Sequence, residues 1–466
     1  MKINLVGGTT EEFSTPFNPN RSVNLYPVVS RDGKEITALY STPGLKEFTR
    51  VGSGAIRGVF KSGNGRFFVI SGAKLYEVLV DGSTTELGTL QQNTGNVSIA
   101  EVQTQLGICD GVNVYILKYS DDSFQRVTDA DLPEASTITS IDSFFVITKL
   151  NSGKFFISEV LDGTKWDALD FASAEKTPDN VLRAFAGAGQ LWLFGEKTTE
   201  IWNNTGDATF PFQRISGATF NTGIVAPLSA VEIDKNIYWV GQDDGGRGQV
   251  YVTSGFSAQP ISTPPITQML ERADNIEDIV SYFYSQDGHT FYVINGGGLE
   301  TSLVFDTTTK TWHERAFTND SGQFEPHLVS THAFVFGLHI GGSRKDNRLF
   351  RIGPAFFDDD GDEMVRERIY GNISQENKNL RINRLEVDFE GGVGLQSGQG
   401  FNPQARLQVS KDGGKTYGIA ASADIGKAGQ YEARAVFRRL GVANNFVFKL
   451  RVSDPVKVVM TGSFIE

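Results

Sequence analysis

Residues that could do chemistry are few, and their spacing argues against most of it. Five histidines stand at 289, 313, 327, 332 and 339. A helical zinc site needs two of them four residues apart with a glutamate between, and no pair is so spaced. His327, His332 and His339 lie close in sequence but without a register that would aim three imidazoles at one ion. The run Asp358-Asp359-Asp360-Gly361-Asp362-Glu363 invites calcium, but its glycine falls too early for the turn of an EF-hand loop, so a solvated charged turn is expected. Gly414-Lys415-Thr416 looks like the end of a phosphate-binding loop, yet Val409 stands where the first glycine belongs and no strand-to-helix context surrounds it. No serine occupies a nucleophile elbow, and Cys109 lies in an apolar run, where a thiol is inert packing. Catalytic, cofactor and metal residues are therefore all assigned as none.

The most specific short motif is Ser410-Lys411-Asp412-Gly413-Gly414-Lys415-Thr416-Tyr417. It is similar to the Asp-box of sialidases and other propellers, S-x-D-x-G-x-T-[WY]. Its mechanics are local: Ser410, Asp412, Gly414 and Thr416 fold a hairpin turn through side-chain-to-backbone bonds, and Tyr417 anchors it. A sialidase would also carry an arginine triad, a tyrosine nucleophile with its glutamate, and several such boxes. Only one box is evident, so a structural turn is expected.

The elements that must position these residues read as strands. Leu191-Trp192-Leu193-Phe194, a polar turn through Gly195, and a second run ending in Trp202 describe a tight hairpin whose first strand has no polar face. Such a strand must be covered on both sides, inside a stack of sheets. Similar units begin at Phe67, Leu106, Phe144, Ile237, Phe291 and Phe334, seven in all, at steps of 39, 38, 47, 46, 54 and 43 residues. Repeats of roughly 40 to 50 residues, each a small sheet, have the period of β-propeller blades, and six or seven are expected. A large β-sandwich, or two stacked all-β domains, is the competing architecture, since closely spaced turns suit both.

Composition agrees with an all-β chain. Among 466 residues, 51 are Gly and 34 are Phe, which fits short strands, tight turns and sheets packed through rings. The net charge of −12 disfavours tight wrapping of nucleic acid, though an acidic surface can lie beside DNA without sticking to it. A single cysteine excludes an intrachain disulfide and suits folding in a reducing cytoplasm. The opening Met1-Lys2-Ile3-Asn4-Leu5 is too short an apolar run for a signal peptide. No stretch is apolar for long enough to span a bilayer as a helix, so a soluble protein without membrane insertion is expected.

Three regions follow in order. Residues 1–55 form a turn-rich arm that either closes the ring by pairing with the last blade, the preferred alternative, or reaches a neighbouring subunit. Residues 56–355 carry the blade series, with helices expected at Asp179–Phe185 and after Pro264-Pro265, where Ile266, Met269, Leu270 and Ala273 share one face. Thr311-Trp312-His313-Glu314 reads as a strand with its aromatic packed between blades. Residues 356–466 alternate with period two, as in Leu385-Glu386-Val387-Asp388-Phe389, and describe a separate β-sandwich with one wet face.

The combination of Asn24-Leu25-Tyr26-Pro27, Thr42-Pro43-Gly44-Leu45, Leu191–Gly195 with Glu200-Ile201-Trp202, and Phe210-Pro211-Phe212 resembles the tail hub, or nozzle, proteins of short-tailed bacteriophages, also called packaged-DNA stabilisation proteins. The Ser410–Tyr417 motif, Tyr431, Arg438-Arg439-Leu440-Gly441 and Leu450–Val456 resemble the same family's C-terminal block. The resemblance implies a structural virion protein rather than an enzyme. It implies a homo-hexamer below the portal and its adaptor ring, assembled in the host cytoplasm and placed in the virion tail. Further implied partners are a tail fibre or spike, a needle or plug, and packaged double-stranded DNA, held without sequence readout and released through the channel. The alternative function is a glycan-binding or glycan-hydrolysing, sialidase-like propeller.

Overall fold

The computed structural model describes residues 1–30, 37–174, 179–242, 245–246, 248–375 and 378–466. Nearly every element in them is a strand, and the sheets sort into seven propeller blades and a two-sheet sandwich. Blades 1 to 6 follow one another over 56–89, 98–126, 135–173, 181–220, 223–260 and 280–318. Blade 7 takes three strands from 329–353, and the arm supplies its outermost strand, Gly44–Arg50, which runs antiparallel to Arg348–Gly353.

Why the middle strands lack a polar face is visible in blade 1. Phe67 and Val69 pack on Ile340 and Leu349 of blade 7, while Phe68 and Ile70 pack on Leu106 and Ile108 of blade 2. Alternate side chains of one strand thus enter two different cores. Leu191 and Leu193 join Val146 and Phe155 of blade 3, whereas Trp192 and Phe194 join Ile237 and Trp239 of blade 5. Each fully buried ring contributes about 1.5–3 kcal/mol, so the stack is held mainly by these two-sided strands.

Two local expectations fail. Asp179–Phe185 is not a helix, because Val181–Gly187 is the innermost strand of blade 4, with Phe185 opposite Trp192 and Ala186 opposite Leu191. Asp179 instead caps the adjacent turn, accepting the N–H groups of Glu196, Lys197 and Thr198 at 2.9 Å each. In the seventh unit, Phe334-Val335 belongs to the innermost strand Val329–Val335, and the middle strand is Leu338–Ser343. That strand hides its hydrophobic role behind Gly341 and Gly342, where a Cβ would stand 2.5 Å from Val329 and 2.4 Å from Ile56. The helix after the paired prolines is present as α1, Pro264–Glu271, with Ile266 and Leu270 buried in the core shared by blades 5 and 6. Trp312 closes the same core and donates to Ile261 O at 3.0 Å.

The sandwich is not separate. One of its sheets runs Leu25–Val29, Thr37–Ser41, Val459–Ile465, Leu380–Phe389, Arg434–Ala443, so an N-terminal hairpin forms its edge. The other, Arg366–Ser374, Asn445–Val452, Gln404–Ser410, Ala421–Asp424, is joined to blade 6 by Arg21–Val23. That strand pairs in parallel with Thr311–Thr318, through Val23 and Glu314, and antiparallel with Arg366–Ser374. A ten-stranded sheet results, continuous from propeller to sandwich.

Candidate functional site: the propeller–sandwich junction

The buried charges gather where the arm threads between the two bodies. Thr311–Thr318 places His313, Glu314 and Arg315 in succession, all fully buried. Glu314 receives Arg21 Nη2 at 2.6 Å and Nε at 3.0 Å, Thr301 Oγ1 at 2.7 Å and Thr9 Oγ1 at 3.1 Å. Burial works against the Arg21 charge, but Glu314, then Glu367 and Glu11, outweigh it and hold its pKa above the ordinary arginine value. Arg368, also buried, donates to Leu5 O at 2.6 Å, Gly8 O at 3.0 Å and Ser22 Oγ at 3.0 Å, tying down the arm's first strands. Gly8 approaches so closely that a Cβ would lie 2.2 Å from Trp312 O.

Asn24 marks the turning point. It adopts φ of 54°, donates to Ala316 O and Val365 O at 2.9 Å each, and accepts the Ala316 N–H at 2.9 Å. One side chain thereby joins blade 6, the arm and the sandwich, which is the physical content of Asn24-Leu25-Tyr26-Pro27.

The acidic turn is not fully solvated as expected: Asp359 is wholly buried, and among the described residues neither carboxylate oxygen has a hydrogen-bond partner. Its backbone is drawn inward by the arm strand, since Leu45 N donates to Asp358 O and Asp360 N to Leu45 O. Arg315 and Arg366 face it. Burial raises the Asp359 carboxyl to about 7, against the pull of these two guanidinium groups. Arg315 itself donates to Pro43 O at 2.8 Å and meets His327 Nε2 at 2.9 Å, and Arg366 donates to Asp454 O at 2.9 Å.

Four of the five histidines fall in three environments. His289 bonds Asp306 at 2.7 Å, His327 holds Arg315, and His332 Nε2 lies 3.0 Å from His339 Nδ1 across the blade 7 hairpin. The last pair borders an open cavity of about 720 Å³ on the propeller axis, walled by Phe185, Phe283, Phe334 and Glu232. Burial, then His339, drives His332 down to about 3, leaving it neutral and a poor base at physiological pH. Cys109 is buried in blade 2, and burial pushes its thiol up to about 12.

In the Ser410–Tyr417 turn, Asp412 accepts Ser410 Oγ at 2.7 Å, the Lys415 and Thr416 N–H groups at 3.0 Å, and Thr416 Oγ1 at 2.6 Å. Gly414 N donates to Ser410 Oγ at 2.8 Å, and the Tyr417 ring lies under Lys449 Nζ at 3.9 Å. The turn packs against Thr15 and Pro16 of the arm.

Residues 1–354 match the family model described as bacteriophage P22 Gp10, beta-propeller, and residues 366–466 match bacteriophage P22 Gp10, beta-sandwich. The chain belongs to the bacteriophage P22 Gp10 family. It is therefore a structural component of the phage tail and not an enzyme, which removes the glycan-hydrolysing alternative. The two Gp10 models meet at the acidic turn, so the junction described above is where the family's two bodies join. Among curated proteins no sequence match was found. Solved structures similar to the chain include the N-terminal domain of Nup159, 11% identical with a TM-score of 0.42, covering 72% of this chain and 98% of that one. The WD40 domain of Neurospora crassa Pan2 is 10% identical with a TM-score of 0.44, covering 67% and 96% respectively.

Proposed function

We propose that this Gp10-family protein is the tail hub, or nozzle: a hexameric ring below the portal and its adaptor that retains packaged DNA and forms the channel for its ejection. The adaptor ring lies above it, fibres or spikes and a needle or plug lie around and below it, and assembly takes place in the host cytoplasm. The observation that carries this is the continuous sheet through Arg21–Val23, which makes propeller and sandwich a single stiff subunit suited to bearing load by shape. Net charge supports it as well, since a chain of formal charge −12 adheres weakly to phosphate and lets DNA slide. Electron microscopy of tail-bearing particles tests it. A six-fold collar of this chain around the exit channel is expected; density elsewhere, or a different stoichiometry, refutes it.

A further inference from the structure

Charge is divided unequally along the chain. Residues 364–466 hold 15 Lys and Arg against 10 Asp and Glu, a formal +5, whereas residues 1–363 hold 28 against 45, a formal −17. Neither excess is evenly spread.

The basic excess concentrates at one corner of the sandwich. On its Leu380–Phe389 and Arg434–Ala443 strands, Arg381 stands in register with Val442, and Arg438 precedes a bulge where Arg439 takes φ of 61°. The Asp412 turn brings Lys411 against Gly441 and carries Lys415. All five cations are exposed, and among the described residues none makes an ion pair. Arg384 and Arg434 on the same strands, by contrast, are answered by Glu386 and Asp388. Ile419, 99% exposed, lies beyond the same turn, and Val442, 42% exposed, stands among the cations.

The acidic excess has a counterpart on blade 3. Its outermost strand, Asp162–Ser173, is hydrogen-bonded on one side only and carries Asp162, Asp167 and Asp170, with Glu159 before it. Asp129 is held against this strand by the Trp166 N–H at 3.1 Å, with Asp131 following in the same loop. Among the described residues Lys165 answers only Glu159 and Asp162, at 3.7 and 3.9 Å. Burial first, and then Asp167 and Glu159, raise the Asp170 carboxyl above its ordinary value. Leu169, 80% exposed, and Val160, 58% exposed, stand in this patch.

The two patches lie on different bodies, the basic one on the sandwich and the acidic one on blade 3. The sandwich is fixed to blades 6 and 7; blades 4 and 5 separate blade 3 from one, and blades 1 and 2 separate it from the other. A body with complementary, unlike surfaces associates head to tail, a heterologous contact that closes a ring when the rotation between neighbours closes.

We propose that the basic corner of one copy's sandwich, Arg381, Lys411, Lys415, Arg438 and Arg439, docks on the acidic outer edge of blade 3 of the next copy. This rests on the ring proposed above and names its contact. A second copy fits better than a DNA backbone because exposed apolar residues stand in both patches, a pattern that protein interfaces use and phosphate contacts do not require.

Sedimentation velocity of the full-length chain tests it with two charge-reversed variants. One carries Arg381→Glu, Lys411→Glu, Arg438→Glu and Arg439→Glu; the other carries Asp131→Lys, Asp167→Lys and Asp170→Lys. Each alone is expected to self-associate more than about tenfold more weakly than wild type, while retaining its circular dichroism and melting temperature. An equimolar mixture is expected to recover, because the acidic corner of the first variant now complements the basic blade 3 edge of the second, and the second's unaltered corner complements the first's unaltered edge. If wild type associates and either variant associates equally well, or the mixture fails to recover, this contact is wrong and the ring survives. A labelled DNA duplex that binds wild type and is lost with the first variant, with self-association unchanged, assigns the corner to nucleic acid and also overturns it. Wild type that never self-associates, at low or high salt, overturns contact and ring together.

Discussion

Leu25 and Tyr26 are consecutive in the chain, yet they are buried in different cores. Leu25 packs with Leu39, Leu385 and Val387 inside the sandwich, and Tyr26 lies in the propeller with its ring centroid 5.1 Å from that of Phe291. One dipeptide thus couples two hydrophobic bodies, and their stabilities should be coupled with it. Tyr26→Ala is expected to cost about 3–5 kcal/mol and Leu25→Ala about 2–5 kcal/mol. Calorimetry should show a single transition for wild type and a split or broadened one for Tyr26→Ala. Two resolved transitions already present in wild type would show that the bodies unfold independently.

The Arg21 to Glu314 pair makes a second, electrostatic tie. Removing one member of a buried pair leaves a desolvated charge, so Arg21→Met is expected to cost about 3–5 kcal/mol. Replacing both, Arg21→Met with Glu314→Leu, should cost less than the single change, since no charge is stranded. Urea midpoints of the single and double variants measure this. A double variant less stable than either single one would mean that the pair contributes beyond mutual neutralisation.

Much of this architecture could be read from residue order alone, because two-sided apolar strands such as Phe67–Ile70 and Leu191–Phe194 need covering sheets whatever the details. What could not be read follows from contacts distant in sequence. Asp179–Phe185 looks helical until Trp192 and Leu191 pair with it, and Leu338–Ser343 looks like a loop until Val329 and Ile56 explain its glycines. His313-Glu314-Arg315 gave a strand but no sign that the arm would bury it, since Arg21 and Pro43 lie nearly 300 residues upstream. Asp359 was hidden for the same reason: a run of acids reads as solvated unless the strand drawing it inward is known. Gly342→Val tests this account of blade 7, because its side chain would meet Ile56 of blade 1; a fall in melting temperature is expected, and an unchanged one would disprove it.

Cys109 should report on opening of the ring. Its Sγ lies 3.2 Å from Ala135 O, and burial holds the thiol proton, so a thiol reagent at pH 8 finds neither access nor thiolate. Labelling is expected only as denaturant unfolds the chain, in step with loss of the circular dichroism signal. Fast labelling of the native protein would place the thiol at the surface.

Two sets of buried groups should bend the pH dependence of stability in opposite directions. His313, with both ring nitrogens unpartnered among the described residues, is driven down to about 3, first by burial and then by Arg315 and His289 against the pull of Asp306. His332 is also held near 3, and His327 lies well below its usual value through burial, Arg315 and Arg344. The unfolded chain takes up protons at these sites near pH 6.5 that the native chain refuses, so stability is lost as pH falls from there towards 3, by up to about 1.4 kcal/mol per pH unit for each fully linked site. Asp359 acts oppositely. Its native carboxyl keeps a proton up to about pH 7 that the unfolded chain releases near 4, so its contribution improves as pH falls through that window and is least favourable above 7. Asp359→Asn should therefore raise the melting temperature at pH 8, and the gain should shrink by pH 5. If the substitution destabilises the protein at pH 8, Arg315 and Arg366 pair with the carboxylate strongly enough to keep it charged, and the burial account of Asp359 fails.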